Sequence, residues 1–341
     1  MNNKRRDLLK KMTVSQQFVT QAEDNAKMDK IRRYAPLILL VIMTAIGGIS
    51  QKNFFSWANV VNIMFQMSIP LVISVGLSFV LLLGSIDLSI EGIMGFSGSL
   101  VAFLVVNNSN SNNFGIFGVI IAVLIGLGVG AIVGFLHTKA RIASFIVSYA
   151  VGCIMTGAAV LIYRGTPIQV KDPMFIAISQ GRLIGIPYIT LISFAVFIIG
   201  AIIMNYTAFG RAVFAIGDNE AAAASTGINI TRTKIKVFAL CGCTAAIAGV
   251  LQCMRLKLGQ SNLGLNQMFP VVTAIVLGGG SVSGGKGGSL QTFVGVLIYT
   301  ELANWLTLMG VDTNLKKVIQ GIIIIIAVTL TVEHNRKTVV K

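Results

Sequence analysis

About ten strongly apolar stretches lie between Ala35 and Val332, separated by short polar breaks. Most approach the ~20 residues that a helix needs to cross a bilayer. Inside hydrocarbon the backbone has no water to bond, so each stretch must satisfy its own N–H and C=O groups as a helix. Expected spans fall at about 35–51, 60–83, 90–106 and 115–136, then from the His137–Arg141 loop to about Leu161. They continue at about 188–207, 236–254, 270–279, 290–309 and 315–332. The fold class read from this pattern is an all-α polytopic membrane protein of about ten transmembrane helices. Hydrophobic residues form 55% of the chain and charged ones 11%, against roughly 45–50% and 25% in soluble domains. A soluble chain could not bury that much apolar surface.

Three parts follow: a polar tail at 1–34, a transmembrane domain at 35–333, and a second tail at 334–341. The first apolar run begins only after the long charged tail, so it is expected to stay as a span. A net charge of +15 would point a soluble protein toward nucleic acid. In a membrane protein it reports topology, because Lys and Arg gather on the cytoplasmic side, and no nucleic-acid partner is expected. With the N-terminus inside, 19 of the 27 basic residues fall inside and 8 outside. The expected location is the bacterial inner membrane, with both termini cytoplasmic.

The best-patterned polar segment runs from Phe209 to Lys236, between two apolar ones. Asp218 and Asn219 can cap a helix, since a short side-chain oxygen accepts an N–H of the first turn. Glu220 places negative charge where the helix dipole favours it. Ala221, Ala222 and the two alanines after them propagate a helix at least cost, through Ser225. Gly227 can end it in the left-handed conformation. Gly217 through Gly227 therefore reads as a short capped helix on the cytoplasmic side. It is either an ordered loop or something a soluble partner grips.

Broken helices are expected in two places. The 60–83 stretch carries Asn62, Gln66 and Pro70, which point to a broken or tightly packed helix. The 270–279 stretch is short and runs into G-G-G-S-V-S-G-G-K-G-G-S. There Gly278, Gly279, Gly284 and Gly285 fit a re-entrant turn whose backbones touch or take positive φ. L-G-S-I-D-L-S at Leu83 and L-G-G-G-S-V-S at Leu277 form a weak internal echo, as in transporters built from repeats. Gly126, Gly128, Gly130 and Gly134 would let helix backbones approach closely.

Polar groups inside apolar segments are the candidate pathway residues: Asn62, Gln66, Glu91, Gln252, Glu301 and Asn304. Neutral amides suit a neutral, hydroxyl-rich solute, although helix-to-helix bonding explains each one as well. Asp87, in D-L-S, reads as N-terminal chemistry for the next helix. Glu301 either lines a pathway or serves as a buried hydrogen-bonding group. Gly280 to Lys286 matches G-x-x-x-x-G-K, yet Gly287 stands where a Ser or Thr should hold Mg²⁺ and no βαβ context surrounds it. The cysteines show no C-x-x-C spacing. His137 and His334 have no partner at ligand spacing, no Ser/His/Asp set exists, and no metal site or catalytic residue is expected.

Taken together, N-V-V-N-I at Asn59, G-S-I-D-L-S at Gly84, the F-G-R-A-V-F-A-I-G-D-N-E block at Phe209 and V-L-G-G-G-S-V-S-G-G-K-G at Val276 carry a resemblance. N-W-L at Asn304 and Q-G-I-I-I at Gln320 extend it. The chain resembles the permease subunits of ribose-, galactose- and xylose-type ABC importers. That resemblance implies a non-catalytic pore subunit that pairs with a second permease chain. A cytoplasmic ABC ATPase, which alone binds ATP and Mg²⁺, would dock on the Gly217–Gly227 segment. An extracytoplasmic solute-binding protein would dock at 164–187 and 255–268, and the solute would be a monosaccharide. The family commonly shows I-D-L-S-V-G, where this chain has Ile90 and Glu91, and E-L-D-A-I-A-A before V-L-G-G, where it has the run from Gln267. Nucleosides or another small polar solute remain open on that account. A stand-alone secondary carrier, with Glu301 or Glu91 as coupling acid, is the alternative from another class.

Overall fold

The computed structural model describes residues 34–312, 314–316, 318–322 and 325. Nearly all of the N-terminal tail, much of the last expected span and the C-terminal tail lie outside them. The described chain is helical apart from two-residue strands. Its helices are α1 (Tyr34–Ser50), α2 (Trp57–Leu82), α3 (Ile90–Leu104), α4 (Gly115–Lys139), α5 (Ser144–Tyr163), α6 (Pro173–Gln180) and α7 (Tyr188–Tyr206). They continue with α8 (Ala208–Asp218), α9 (Glu220–Ser225), α10 (Ile230–Leu256), α11 (Met268–Leu277) and α12 (Ser289–Leu308). A further helical stretch begins at Asn314.

Five of these (α2, α4, α5, α7 and α10) are long and apolar enough to cross a membrane. They divide by burial. The most apolar window of α2 is 83% buried and that of α10 72%, whereas α4, at mean hydropathy 2.9, is only 28% buried. Apolar surface left open on that scale belongs against lipid. The centre of the bundle is therefore α2 and α10, with α4, α5 and α7 outside. Backbone proximity holds α4 to α10: a Cβ on Gly130 would overlap the Phe238 carbonyl, and one on Gly242 would overlap that of Gly126. Gly128 faces open space, so one glycine of the four serves no packing role.

Of the two alternatives for the 60–83 stretch, tight packing holds: Pro70 lies inside a continuous 26-residue helix, and burial among neighbours takes the place of a break. The break falls one segment later, at 83–89. Helix α10 corrects the expected bounds: it starts at Ile230, not near Lys236, and its 27 residues extend about 40 Å, beyond the hydrocarbon. The Asn107–Asn113 segment is a largely exposed loop tied back to the end of α3. Asn107 is buried, and its Nδ2 donates to the Ala102 and Val105 carbonyls, both at 2.9 Å. Asn112 Nδ2 donates to Phe103 O. These amides satisfy carbonyls that the end of α3 leaves without partners.

At the same end of the bundle, β1 (Ile168–Gln169) pairs antiparallel with β4 (Leu258–Gly259), and β2 (Arg182–Leu183) with β3 (Ile186–Pro187). Asp172 Oδ1 accepts from the N–H groups of Met174 and Phe175 and so caps α6, with Pro173 at its first position.

Helices α3 and α11 have 15 and 10 residues, about 22 and 15 Å, short of the ~30 Å hydrocarbon core. Each is preceded by chain outside any α-helix lying inside the bundle, which before α11 includes a 3-10 turn at Ser261–Gly264. Along 83–89, the Ile86 and Leu88 N–H groups donate to the hydroxyls of Ser144 and Ser148 on α5. The 258–267 lead-in runs back along α3, with Ser261 against Gly95 and Gly264 against Glu91. Most of that lead-in is not available as docking surface: Ser261, Leu263 and Gly264 are buried, leaving Asn262, Leu265 and Asn266 exposed. Irregular backbone at such depth is tolerated only where protein encloses it.

Candidate functional site

Helices α7 and α10 are joined by α8 and α9, set at an angle by the extended residue Asn219 (φ −154°, ψ 104°). Thr207 caps α8, its hydroxyl accepting from the Gly210 N–H. Asn219 caps α9 through Oδ1, accepting from the Ala222 N–H at 3.0 Å. Asp218 is thus the last residue of α8 and not a cap, because the chain turns one residue later than expected. Gly227 takes φ +86°. Its N–H bonds Ala224 O, and the Ile228 N–H bonds Ala223 O, the paired bonds of a glycine-terminated helix. Glu220 pairs with Lys234 on the first turns of α10 at 2.7 Å. On α9 only Ala223 is buried; Ala221, Ala222 and Ser225 are exposed. A capped helix whose small side chains face outward is a flat, low-relief surface that a partner can cover.

Gly217, on the last turn of α8, anchors this segment. A Cβ there would overlap the Leu82 carbonyl oxygen and come within 2.9 Å of the Gly285 nitrogen. The Gly285 N–H donates to that same carbonyl at 3.0 Å. Gly84 (φ +68°) and Gly284 (φ +90°) lie against each other across the same point, so the two echoed segments meet in space. A Cβ on Gly278 would overlap the Gln291 carbonyl of α12. In this turn the N–H groups of Gly278, Gly279, Gly280, Ser281, Ser283, Gly284 and Gly285 all donate to protein oxygens. They are not free to cradle a phosphate, and a helix, α11, precedes them in place of the strand of a nucleotide-binding loop.

The polar candidates do not form one cluster. Asn62 is exposed near the start of α2, and Gln66 is half-buried. The Arg255 guanidinium lies 4.2 Å from the ring centre of Phe65. Glu91 Oε1 accepts from the N–H groups of Gln267 and Met268, each at 3.1 Å. It caps α11 from α3, with the carboxylate at the positive end of the helix. Asp87 does not cap α3: it is fully buried, and Oδ1 accepts from Ser89 N and Oγ while Oδ2 has no partner among the described residues. Glu301 is 5% exposed and meets Thr44 of α1. Asn304 is 1% exposed. Both its amide atoms, and Gln252 Oε1, are buried with no hydrogen-bond partner among the described residues. Thr292 and Ser78 line one small cavity, and Trp305, next to Asn304, donates through Nε1 to Ser50 Oγ at the end of α1.

Sequence reasoning missed the cap that Glu91 provides and the seat of Gly217. The second had a signal: the echo named both segments that Gly217 touches.

A bundle of apolar helices with two short helices on irregular lead-ins, and one end covered by a capped surface helix, is a multi-pass integral membrane protein. The chain belongs to the family of branched-chain amino acid transport system permease components, which matches residues 59–328. It is 32% identical over 296 residues to the ribose import permease protein RbsC of Escherichia coli K12, covering 86% of this chain and 91% of that one. Against RbsC of Bacillus subtilis it is 34% identical over 306 residues, 88% and 92% of the two chains. Against the L-arabinose ABC transporter permease protein AraH of Azospirillum brasilense it is 31% identical over 298 residues, 87% of each. No solved structure matches it.

Proposed function

We propose that this chain is the membrane-spanning subunit of an ATP-driven importer and forms the path for a monosaccharide. The observation that carries this reading is α9, a capped surface helix seated through Gly217 on the junction of α2 and the glycine turn. Relatives named for ribose and L-arabinose support a pentose-sized, neutral, hydroxylated solute. The unpartnered amides of Asn304 and Gln252 offer donors and acceptors without net charge. Nucleosides are the other solute of that chemistry.

In this reading an ABC ATPase, which holds the ATP and Mg²⁺, covers Ala221, Ala222 and Ser225. A solute-binding protein sits at the opposite end, over 164–187, and a second permease chain completes the pathway. Ten spans then cross the bacterial inner membrane: α1, α2, α3 with its lead-in, α4, α5, α7, α10, α11 with its lead-in, α12 and the stretch from Asn314. The termini lie in the cytoplasm. The charge bias behind that orientation is carried by the tails. The nine basic residues before Tyr34 and the three after Glu333 supply it, while the loops between spans hold seven against eight. The secondary-carrier alternative is weakened because one of its two acids, Glu91, is committed to the α11 amides.

The test is Ala222→Arg. Ala222 is exposed, so the chain should insert normally. It should lose co-purification with the ATPase and lose uptake of labelled ribose or arabinose. Uptake that survives, or that persists under ATP depletion in the unaltered system, defeats the proposal.

A further inference from the structure

Resting on the coupling role given to α9 above, we infer that a single block of backbone carries motion from that helix into the bundle. The block consists of Leu82–Gly84, Gly217 and Gly284–Gly285. It moves as a unit and delivers the pull on α9 to the innermost helix, α2, and to the glycine turn. The route does not run mainly through α10, which follows the segment in sequence.

Three observations lead there. First, the block is sealed. Gly217 leaves no room for a methyl group beside Leu82 O, and the Gly285 N–H spends itself on that same oxygen. Gly284 faces the Leu82 and Gly217 carbonyl oxygens and the Gly84 nitrogen. Backbone packed at van der Waals distance has no rotamer to absorb a displacement, so a shift of one strand is a shift of all three.

Second, the competing route is soft. The described ion pair from α9 to α10 is Glu220–Lys234, joined through long side chains with Glu220 half exposed. Such side chains follow a moving helix by changing rotamer. On the α7 side Gly210 of α8 leaves no room for a methyl group beside the Met204 carbonyl, so the end of α7 stays with the block and the soft route is the one through α10.

Third, the block leads inward. Leu82 ends the most buried of the candidate spans. The turn that carries Gly284 and Gly285 is locked to α12 by the contact of Gly278 with Gln291, and α11 to α12 by that of Gly295 with Ala274. A push at Gly217 thus meets α2, α11 and α12 at once. Packed helices respond to such a push by moving between discrete arrangements, not by stretching.

The experiment compares two alanine variants of the full chain, produced with its ATPase and binding protein. In Gly217→Ala the backbone is helical but the methyl group has no space, whereas in Gly128→Ala the backbone is helical and the site is open. Both change a helical glycine to alanine, and only the first touches the block. Import should fall at least tenfold in Gly217→Ala while the ATPase still co-purifies, and stay within about twofold of the parent in Gly128→Ala. Import that survives Gly217→Ala, or falls equally in both variants, overturns the inference and leaves the coupling role of α9 standing. Failure of the ATPase to co-purify with the unaltered chain overturns the coupling role, and the inference with it.

A second measurement needs no variant and decides the matter even if Gly217→Ala does not insert. Amide hydrogen exchange of Ser283, Gly284 and Gly285, whose N–H groups are bonded, is followed in the unaltered complex, nucleotide-free and ATP-bound. The block as a unit keeps these amides protected in both states. A tenfold acceleration in either state means that the block comes apart, which overturns the inference.

Discussion

At the α8 end of the bundle, the backbones of Leu82, Gly217 and Gly285 meet with every turn amide from Gly278 to Ser281 and from Ser283 to Gly285 hydrogen-bonded and no space for a methyl group. At Asn304 on α12 and Gln252 on α10 the reverse holds. Asn304 is buried with neither amide atom matched, and Gln252 Oε1 is likewise unmatched. Nature rarely leaves buried polar atoms without partners, because each costs the desolvation of a group that water would have bonded. One region has spent all its hydrogen-bonding capacity on rigidity. The other holds capacity in reserve. In the proposed function, a device that moves as a block and a lining that bonds a passing solute need these opposite arrangements.

The largest effect is expected where the sealed region is opened. Gly285→Val adds a branched side chain at φ +71°, against the Gly217 carbonyl, a conformation that β-branched residues strongly disfavour. Import should fall by more than tenfold, with a clear loss of thermal stability in detergent. A variant that imports normally would show that the end is packed but not mechanically needed, and the comparison would break on that side. On the other side, Asn304→Leu removes two unmatched polar atoms and keeps similar volume. Replacing an unsatisfied buried group by an apolar one of like shape should raise stability by about 1–3 kcal/mol, while import weakens several-fold through a higher KM. A loss of stability instead would mean that Asn304 bonds helices together. Its amide would then belong with the rigid parts of the molecule.

Much of this contrast was legible in the chain itself. The spans, the capped helix at Asn219, its end at Gly227 and the glycine turn followed from residue type and spacing, because capping and positive φ are local chemistry. The resemblance to sugar-importer permeases followed from two ordered blocks, and the family match bears it out. Long-range pairings were not legible. Glu91 looked like a free intramembrane acid, since its two partners lie at Gln267 and Met268 on another helix. Pro70 left a break and tight packing both open, because a sequence does not show how many neighbours enclose a helix. The burial of Ser261, Leu263 and Gly264 within the 255–268 docking candidate was hidden for the same reason, and Asp218 lost the capping role to its neighbour by one residue of turn.

Glu91 sharpens the comparison, because its acceptor oxygen is spent on the first amides of α11. Glu91→Gln keeps an acceptor oxygen for the two α11 amides but loses the charge at the helix N-terminus. The loss should be about 0.3–1 kcal/mol, seen as a small drop in unfolding temperature, with Glu91→Ala roughly twice as costly. A stabilised Gln variant would mean that the carboxylate is a burden kept for the solute, and Glu91 would join Asn304 among the reserved groups.

The smallest effect separates the soft contact from the sealed one. Glu220 and Lys234 approach to 2.7 Å, yet the Glu220 side chain is 54% exposed. A pair so open to water contributes about 0–1 kcal/mol and is screened by salt. Glu220→Ala should therefore change stability by no more than that, and the difference from the parent should shrink as ionic strength rises. Import should stay near the parental rate, because α9 keeps its Asn219 cap and its seat through Gly217. If Glu220→Ala abolished import at every salt concentration, the pair would be carrying force between α9 and α10. Stiffness would then have to be sought along α10 as well as at the glycine junction.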